Sequence, residues 1–148
     1  MHHKRSFRRK LQTFFLSLLL VLLTVAGVPS AAYTAEAASA DTTMAVHFLD
    51  VGQGLSILVQ SQGQNLLYDG GDRGHSSFVV SYLQKQNISI IDYMISSHYD
   101  EDHVAGLVGC LDSFSVKNVI GADYVQDTKI YQSFENSVAA QGLTVQHP

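Results

Sequence analysis

Near Gly70-Gly71 the hydrophobic pattern of this chain changes period. Before that point apolar residues alternate in three short runs, over 44–50, 55–60 and 65–69. The Gly-rich turn Val51-Gly52-Gln53-Gly54 and the loop Ser61-Gln62-Gly63-Gln64 separate them. Two-residue alternation broken by glycine turns predicts an antiparallel meander. After Gly71 the spacing becomes helical. It predicts helices over 77–86, 104–114 and 127–141, the last with Ile130, Tyr131, Phe134 and Val138 on one face and Gly142 as its stop. Between and after them, strands are expected at 92–96, 117–121 and 143–146. Strands first and β-α alternation afterwards imply an α/β (α+β) domain, a sheet covered by helices.

The first forty residues follow a different logic. Met1 to Lys10 carries Lys4, Arg5, Arg8, Arg9 and Lys10, and Phe14 to Val28 is an almost unbroken apolar run. Small residues follow, and both Ala35-Glu36-Ala37 and Ala38-Ser39-Ala40 fit a small-x-small cleavage site. This is the layout of a secretory signal peptide over 1–40, with cleavage expected after Ala40. An uncleaved anchor is the alternative, although fifteen helical residues span roughly 22 Å, short of the roughly 30 Å hydrocarbon core. In both readings the basic end stays inside and the folded part, residues 41–148, lies outside the cytoplasmic membrane.

Beyond residue 40 only Arg73, Lys85, Lys117 and Lys129 are basic, against twelve Asp and Glu, a formal charge of −8. A protein that grips nucleic acid by its phosphates usually carries a basic face; this composition provides none. The single cysteine, Cys110, excludes an intrachain disulfide. It is expected as a small buried side chain on a helix. His47 and His75 are read as ordinary surface or core residues.

The densest chemical signal is Ser96-Ser97-His98-Tyr99-Asp100-Glu101-Asp102-His103. It follows an apolar strand and precedes an apolar helix, where α/β proteins place reactive groups. Nitrogen and carboxylate donors at this density suit zinc or a similar divalent ion. In a loop, alternate residues point to one side, so His98, Asp100 and Asp102 can converge while His103 turns to a second ion. Two neighbouring ions can share a hydroxide and clamp attacking and leaving oxygens. An EF-hand is excluded, because the required sixth-position glycine is replaced by Ala105. A solvated acidic turn with Asp as a helix N-cap is the alternative for this motif alone.

Two further segments accompany it in order: Phe48-Leu49-Asp50-Val51-Gly52-Gln53-Gly54 and Leu66-Leu67-Tyr68-Asp69-Gly70-Gly71. With Ser97 to His103 and Ala105-Gly106-Leu107, these segments resemble the metallo-β-lactamase superfamily, in particular its ComEC-like subgroup, the extracytoplasmic domain of DNA-uptake proteins. The resemblance spans residues 44–108. It implies a metallo-β-lactamase-like αββα sandwich, of which this chain would be the first half only. It also implies that His98 and Asp100 bind a first metal, and Asp102 and His103 a second, with Asp102 and His103 serving catalysis. Asp69 would stand behind the ligands and orient one of them, while Asp50 and Gln53 shape the adjoining loop. Most of the superfamily has His where Asp100 stands, so one or two Zn2+ are expected, with Mn2+ or Mg2+ favoured more than usual by the harder carboxylate. Further ligands in this fold come from its second half; only 45 residues follow His103, and the one histidine among them is His147.

The expected function is therefore metal-dependent hydrolysis outside the membrane by a metal-bound hydroxide. A phosphodiester is the leading substrate, with DNA as the class the resemblance implies. A non-catalytic module that binds metal or a partner is one alternative. A lactone or ester hydrolase on the same fold is the other.

Overall fold

The computed structural model describes residues 43–148; the expected leader over residues 1–40 lies outside the described residues. Among the described residues no helix is long and apolar enough to cross a membrane. The meander forms as β1 (Met44–Phe48), β2 (Ile57–Ser61) and β3 (Gln64–Tyr68), paired antiparallel with Val46 opposite Val59 and Leu58 opposite Leu67. The β2–β3 hairpin turns at Gln62-Gly63, both at positive φ (51° and 76°). That is the requirement of a two-residue turn matching the twist of its strands.

The alternating part then adds α1 (Ser76–Lys85), β4 (Ile90–Ile91), β5 (Tyr93–Ser96), α2 (Glu101–Ser113), β6 (Ser115–Val116), β7 (Val119–Gly121), α3 (Lys129–Ala140) and β8 (Val145–Gln146). The main sheet has the order β1-β2-β3-β5-β7-β8, parallel from β3 onward. One row across it, Leu58, Leu67, Met94 and Val119, is in register and fully buried. The row sits in a single core with Val79 and Leu83 of α1, Val104, Leu107 and Cys110 of α2, and Phe134 and Val138 of α3. Each such side chain contributes about 1.5–3 kcal/mol by leaving water. On the opposite face Val46, Phe48 and Tyr93 remain exposed.

The expected elements appear in the expected order, joined by two short strands that were not expected, β4 and β6, which pair with each other; three of the boundaries that differ have identifiable reasons. The strand expected at 55–60 starts at Ile57, because Leu55 uses its carbonyl to accept from the Gly71 amide at 2.8 Å. The strand expected at 117–121 starts only at Val119. Val116 pairs with β4, and Lys117 and Asn118 then turn to hold Asp92, Nζ of Lys117 at 2.7 Å from its carboxylate and Nδ2 of Asn118 at 3.0 Å from its carbonyl. The helix expected at 104–114 begins at Glu101, so Asp102, expected in the loop, belongs with His103 to its first turn.

Candidate metal centre

The site is assembled where β3 and β5 end and α2 begins. Asp69 follows β3 with φ of 55°, a left-handed conformation that Asp tolerates better than most residues. The turn buries its carboxylate completely. Oδ1 accepts from the Ser97 amide at 2.8 Å; Oδ2 accepts from the Ser97 hydroxyl at 2.7 Å and lies 2.8 Å from Nδ1 of His103. Since the hydroxyl proton of Ser97 is spent on Asp69, its oxygen accepts from Nδ1 of His98 at 2.9 Å. Both imidazoles are thus held through Nδ1, which leaves each Nε2 with a free lone pair. This is the tautomer a metal-binding histidine needs.

Nε2 of His98 lies 3.5 Å from Oδ2 of Asp100, and Nε2 of His103 lies 3.7 Å from Oδ2 of Asp102. The two rings lie side by side, inclined at 50° with centroids 3.9 Å apart. Asp100 occupies the N-cap position of α2, yet its carboxylate makes no cap bond. It accepts instead from Nε2 of Gln126 at 3.1 Å, against the reading of the motif as a simple capped turn. Tyr99 points the other way, fully buried against Tyr124, Tyr131 and Phe134, with its hydroxyl donating to the Ala122 carbonyl at 2.8 Å. Burial pushes that hydroxyl up to about 12, so it serves as a neutral anchor for the loop. The alternation expected from sequence holds for residues 98 to 100. Asp102 reaches the site from the helix.

The donors come as two pairs, and among the described residues no three His, Cys, Asp or Glu converge as a ready-made cluster. The residues nonetheless fit a divalent ion in chemistry: two imidazoles with Nε2 free, two carboxylates beside them, and a buried acid orienting the rings.

The remaining expected residues are placed as follows. Asp50 lies in the loop after β1 and accepts from the Gly52 amide at 3.3 Å; it shapes that loop, and no hydrogen bond joins it to His98, Asp100, Asp102 or His103. Gln53 donates to Oδ2 of Asp102 at 3.4 Å. His47 pairs with the Tyr82 hydroxyl, His75 with Asp72, and His147 with the Gly121 carbonyl. Cys110 is buried within α2. Ser97, Gln126 and Arg73 gain roles that sequence reasoning did not assign. Ser97 and Asp69 are 28 positions apart, as are Arg73 and Glu101; Gln126 and Asp100 are 26 apart. No spacing rule connects them.

Backbone contact positions α2 against the loop after β3. The Gly70 amide donates to the His103 carbonyl at 2.8 Å, and the Gly106 amide donates to the Gly71 carbonyl at 3.0 Å. A Cβ on Gly70 or Gly106 would overlap the other segment's main chain. A Cβ on Gly54 would likewise overlap the Asp102 carbonyl. The glycines of the three sequence segments are therefore contact points that bring those segments together.

Two grooves flank the centre. One, of about 440 Å³, lies among Gln53, Asp72, Arg73, Glu101 and Asp102. The other, of about 410 Å³, lies among Arg73, Asp100, Glu101, Gln126, Thr128 and Lys129. Arg73 and Glu101, joined at 3.2 Å, border both.

The model of the metallo-beta-lactamase superfamily matches residues 49–128, and the chain belongs to that superfamily. Recombination protein 2 of Haemophilus influenzae is 39% identical over 77 residues, 49% of this chain and 10% of that protein. Competence protein ComA of Neisseria gonorrhoeae is 36% identical over 63 residues, 42% of this chain and 9% of that protein. The chain thus spans about a tenth of the length of these curated relatives, and both agree with the ComEC-like resemblance read from the sequence. Among solved structures, a metallo-beta-lactamase of Cronobacter sakazakii aligns with a TM-score of 0.47 at 19% identity, over 53% of this chain and 30% of that one. The metallo-beta-lactamase FIM-1 of Pseudomonas aeruginosa in its mono-zinc form aligns with a TM-score of 0.40 at 12% identity, over 70% and 43%.

Proposed function

We propose that this chain carries part of the active site of an exported, metal-dependent hydrolase acting on phosphodiesters. The observation that carries this reading is the Asp69–Ser97–His98–His103 network, which leaves two Nε2 lone pairs beside the carboxylates of Asp100 and Asp102. His98 and Asp100 would hold one divalent ion, and Asp102 and His103 a second. Such ions supply Lewis-acid polarisation and lower the pKa of water. Asp69 and Ser97 fix both imidazoles in the binding tautomer, Gln126 steadies Asp100, and Gln53 steadies Asp102. The carboxylate at position 100 supports manganese or magnesium as well as zinc.

The competence and recombination proteins it resembles support a nucleic-acid substrate, and the signal-peptide layout of the sequence over residues 1–40 supports action outside the cytoplasmic membrane. The test is the non-denaturing mass of the protein from the exported fraction, followed by turnover of bis(4-nitrophenyl) phosphate and 4-nitrophenyl acetate with added zinc or manganese. Bound divalent metal with cleavage of the phosphodiester is expected. Cleavage of the acetate alone would move the reading to a carbonyl-ester hydrolase. Metal bound without turnover of either would support a binding module.

A further inference from the structure

The four basic residues after position 40 have unequal structural duties. Lys117 is bonded to Asp92, and Lys85 lies in the last turn of α1, where a cation complements the helix dipole. Arg73 and Lys129 have no comparable stabilising role, and both line the groove of about 410 Å³ beside Asp100. Lys129 is the first residue of α3, the end at which the helix dipole disfavours positive charge. Its ammonium has no ion-pair or hydrogen-bond partner among the described residues. Arg73 spends Nε on Glu101 in an exposed pair, which contributes little to stability. That contact orients the guanidinium and leaves the remaining N–H groups open to solvent, a fork suited to phosphate.

We infer that Arg73 and Lys129 form a phosphate clamp: they position a phosphodiester chain in the groove next to the metal-binding carboxylates, with Glu101 as the positioning residue for Arg73. The inference rests on the hydrolase reading, because Asp100 and Glu101 repel an anion until a cation compensates them. It explains how an otherwise acidic domain addresses a polyanion, with two local contacts in place of a basic face.

The test is fluorescence anisotropy of fluorescein-labelled pentathymidylate with phosphorothioate linkages, titrated with the full chain in manganese and in chelator. Every protein carries glutamine at Lys4, Arg5, Arg8, Arg9 and Lys10, so that the charges of the first ten residues do not contribute. In manganese, Arg73→Ala and Lys129→Ala are each expected to weaken binding about 3- to 10-fold and to lower the log–log salt slope by about 0.7, the loss of one phosphate contact on a single strand. Glu101→Gln should weaken it less, and Arg73→Lys should restore only part of the affinity. Lys85→Ala, which removes the same charge elsewhere, should bind as the parent does. The clamp is overturned if the parent fails to bind, or if Arg73→Ala and Lys129→Ala match either the parent or Lys85→Ala. Binding that follows this pattern in a protein that does not cleave the same oligonucleotide with ordinary phosphodiester linkages would sink the hydrolase reading and leave the clamp standing; cleavage of that oligonucleotide unaffected by these variants would do the reverse.

Discussion

The buried carboxylate of Asp69 holds Nδ1 of His103 at 2.8 Å, and with its remaining capacity it holds the Ser97 hydroxyl that supports His98. One acid therefore sets the orientation of both imidazoles. Asp69→Asn can no longer accept at both oxygens, and the loss of such a supporting carboxylate typically lowers metal affinity about 10- to 100-fold. Competition titrations with a zinc chelator measure this directly. An unchanged affinity would show that the two histidines do not depend on Asp69.

Asp102→Ala removes the carboxylate paired with His103 while leaving the His98–Asp100 pair in place. The expected outcome is a loss of one equivalent of bound metal, read by elemental analysis of the dialysed protein, with the fold retained in circular dichroism. Retention of the parent stoichiometry would refute the assignment of Asp102 as a ligand.

Gly106→Ala places a methyl group against the Gly70 backbone. Neither segment can yield easily, because hydrogen bonds on both sides of the contact tie them together. A destabilisation of about 2–3 kcal/mol is expected, at the upper end for overpacking, seen as a lower urea midpoint. Gly63→Ala meets no neighbour within 4 Å but must hold a φ of 76°, so its smaller cost is conformational only.

The Asp92 carboxylate lies below the usual aspartate range. The cause is first its bond to Lys117, then the Asn65 amide. Its folded-state pKa is depressed relative to the unfolded chain. The stability it contributes is therefore fully present above the unfolded value, about 3.9, and is lost as pH falls through the folded value. Urea midpoints recorded between pH 6 and pH 2.5 should fall in the acid range, and Asp92→Asn should flatten that part of the profile. A parallel profile in the variant would show that Asp92 carries none of the acid sensitivity.

Cys110 is buried in α2, and desolvation pushes its thiol up to about 12. Almost no thiolate exists at pH 8, and no reagent reaches it in the folded state. Labelling by 5,5′-dithiobis(2-nitrobenzoate) should therefore follow unfolding, rising steeply near the urea midpoint. Rapid labelling in native buffer would contradict the placement of this helix.

Much of this architecture was legible in the sequence because period-two alternation and helical spacing are local signals. The hairpin at Gln62-Gly63 and the face of α3 needed nothing beyond neighbouring residues. The site was legible in part. His98, Asp100, Asp102 and His103 stood out by density, and Asp69 only through the resemblance. The pairing of His98 with Asp100 and of Asp102 with His103 came only from the resemblance and not from the residues themselves, because it depends on where α2 starts. Val104 looks like the first helical residue by hydrophobicity, whereas the helix begins at Glu101, with Asp100 as its N-cap, and carries Asp102 round to the side of Gln53. Ser97 is an inconspicuous polar residue until the turn at Asp69 brings a carboxylate to it. Gln126 and Arg73 acquire meaning only once the loop after β7 and the turn after β3 meet the N-terminal end of α2.

The paired glycines 70 and 106 have an evolutionary consequence. Main-chain groups join the two segments there, with no side chain between them, so the platform beneath residues 98–103 does not depend on the identity of the residues it presents. Donors on that platform can be exchanged, as His for Asp at position 100, without renegotiating the scaffold. A lineage could try different metals and different chemistries on one unchanged foundation.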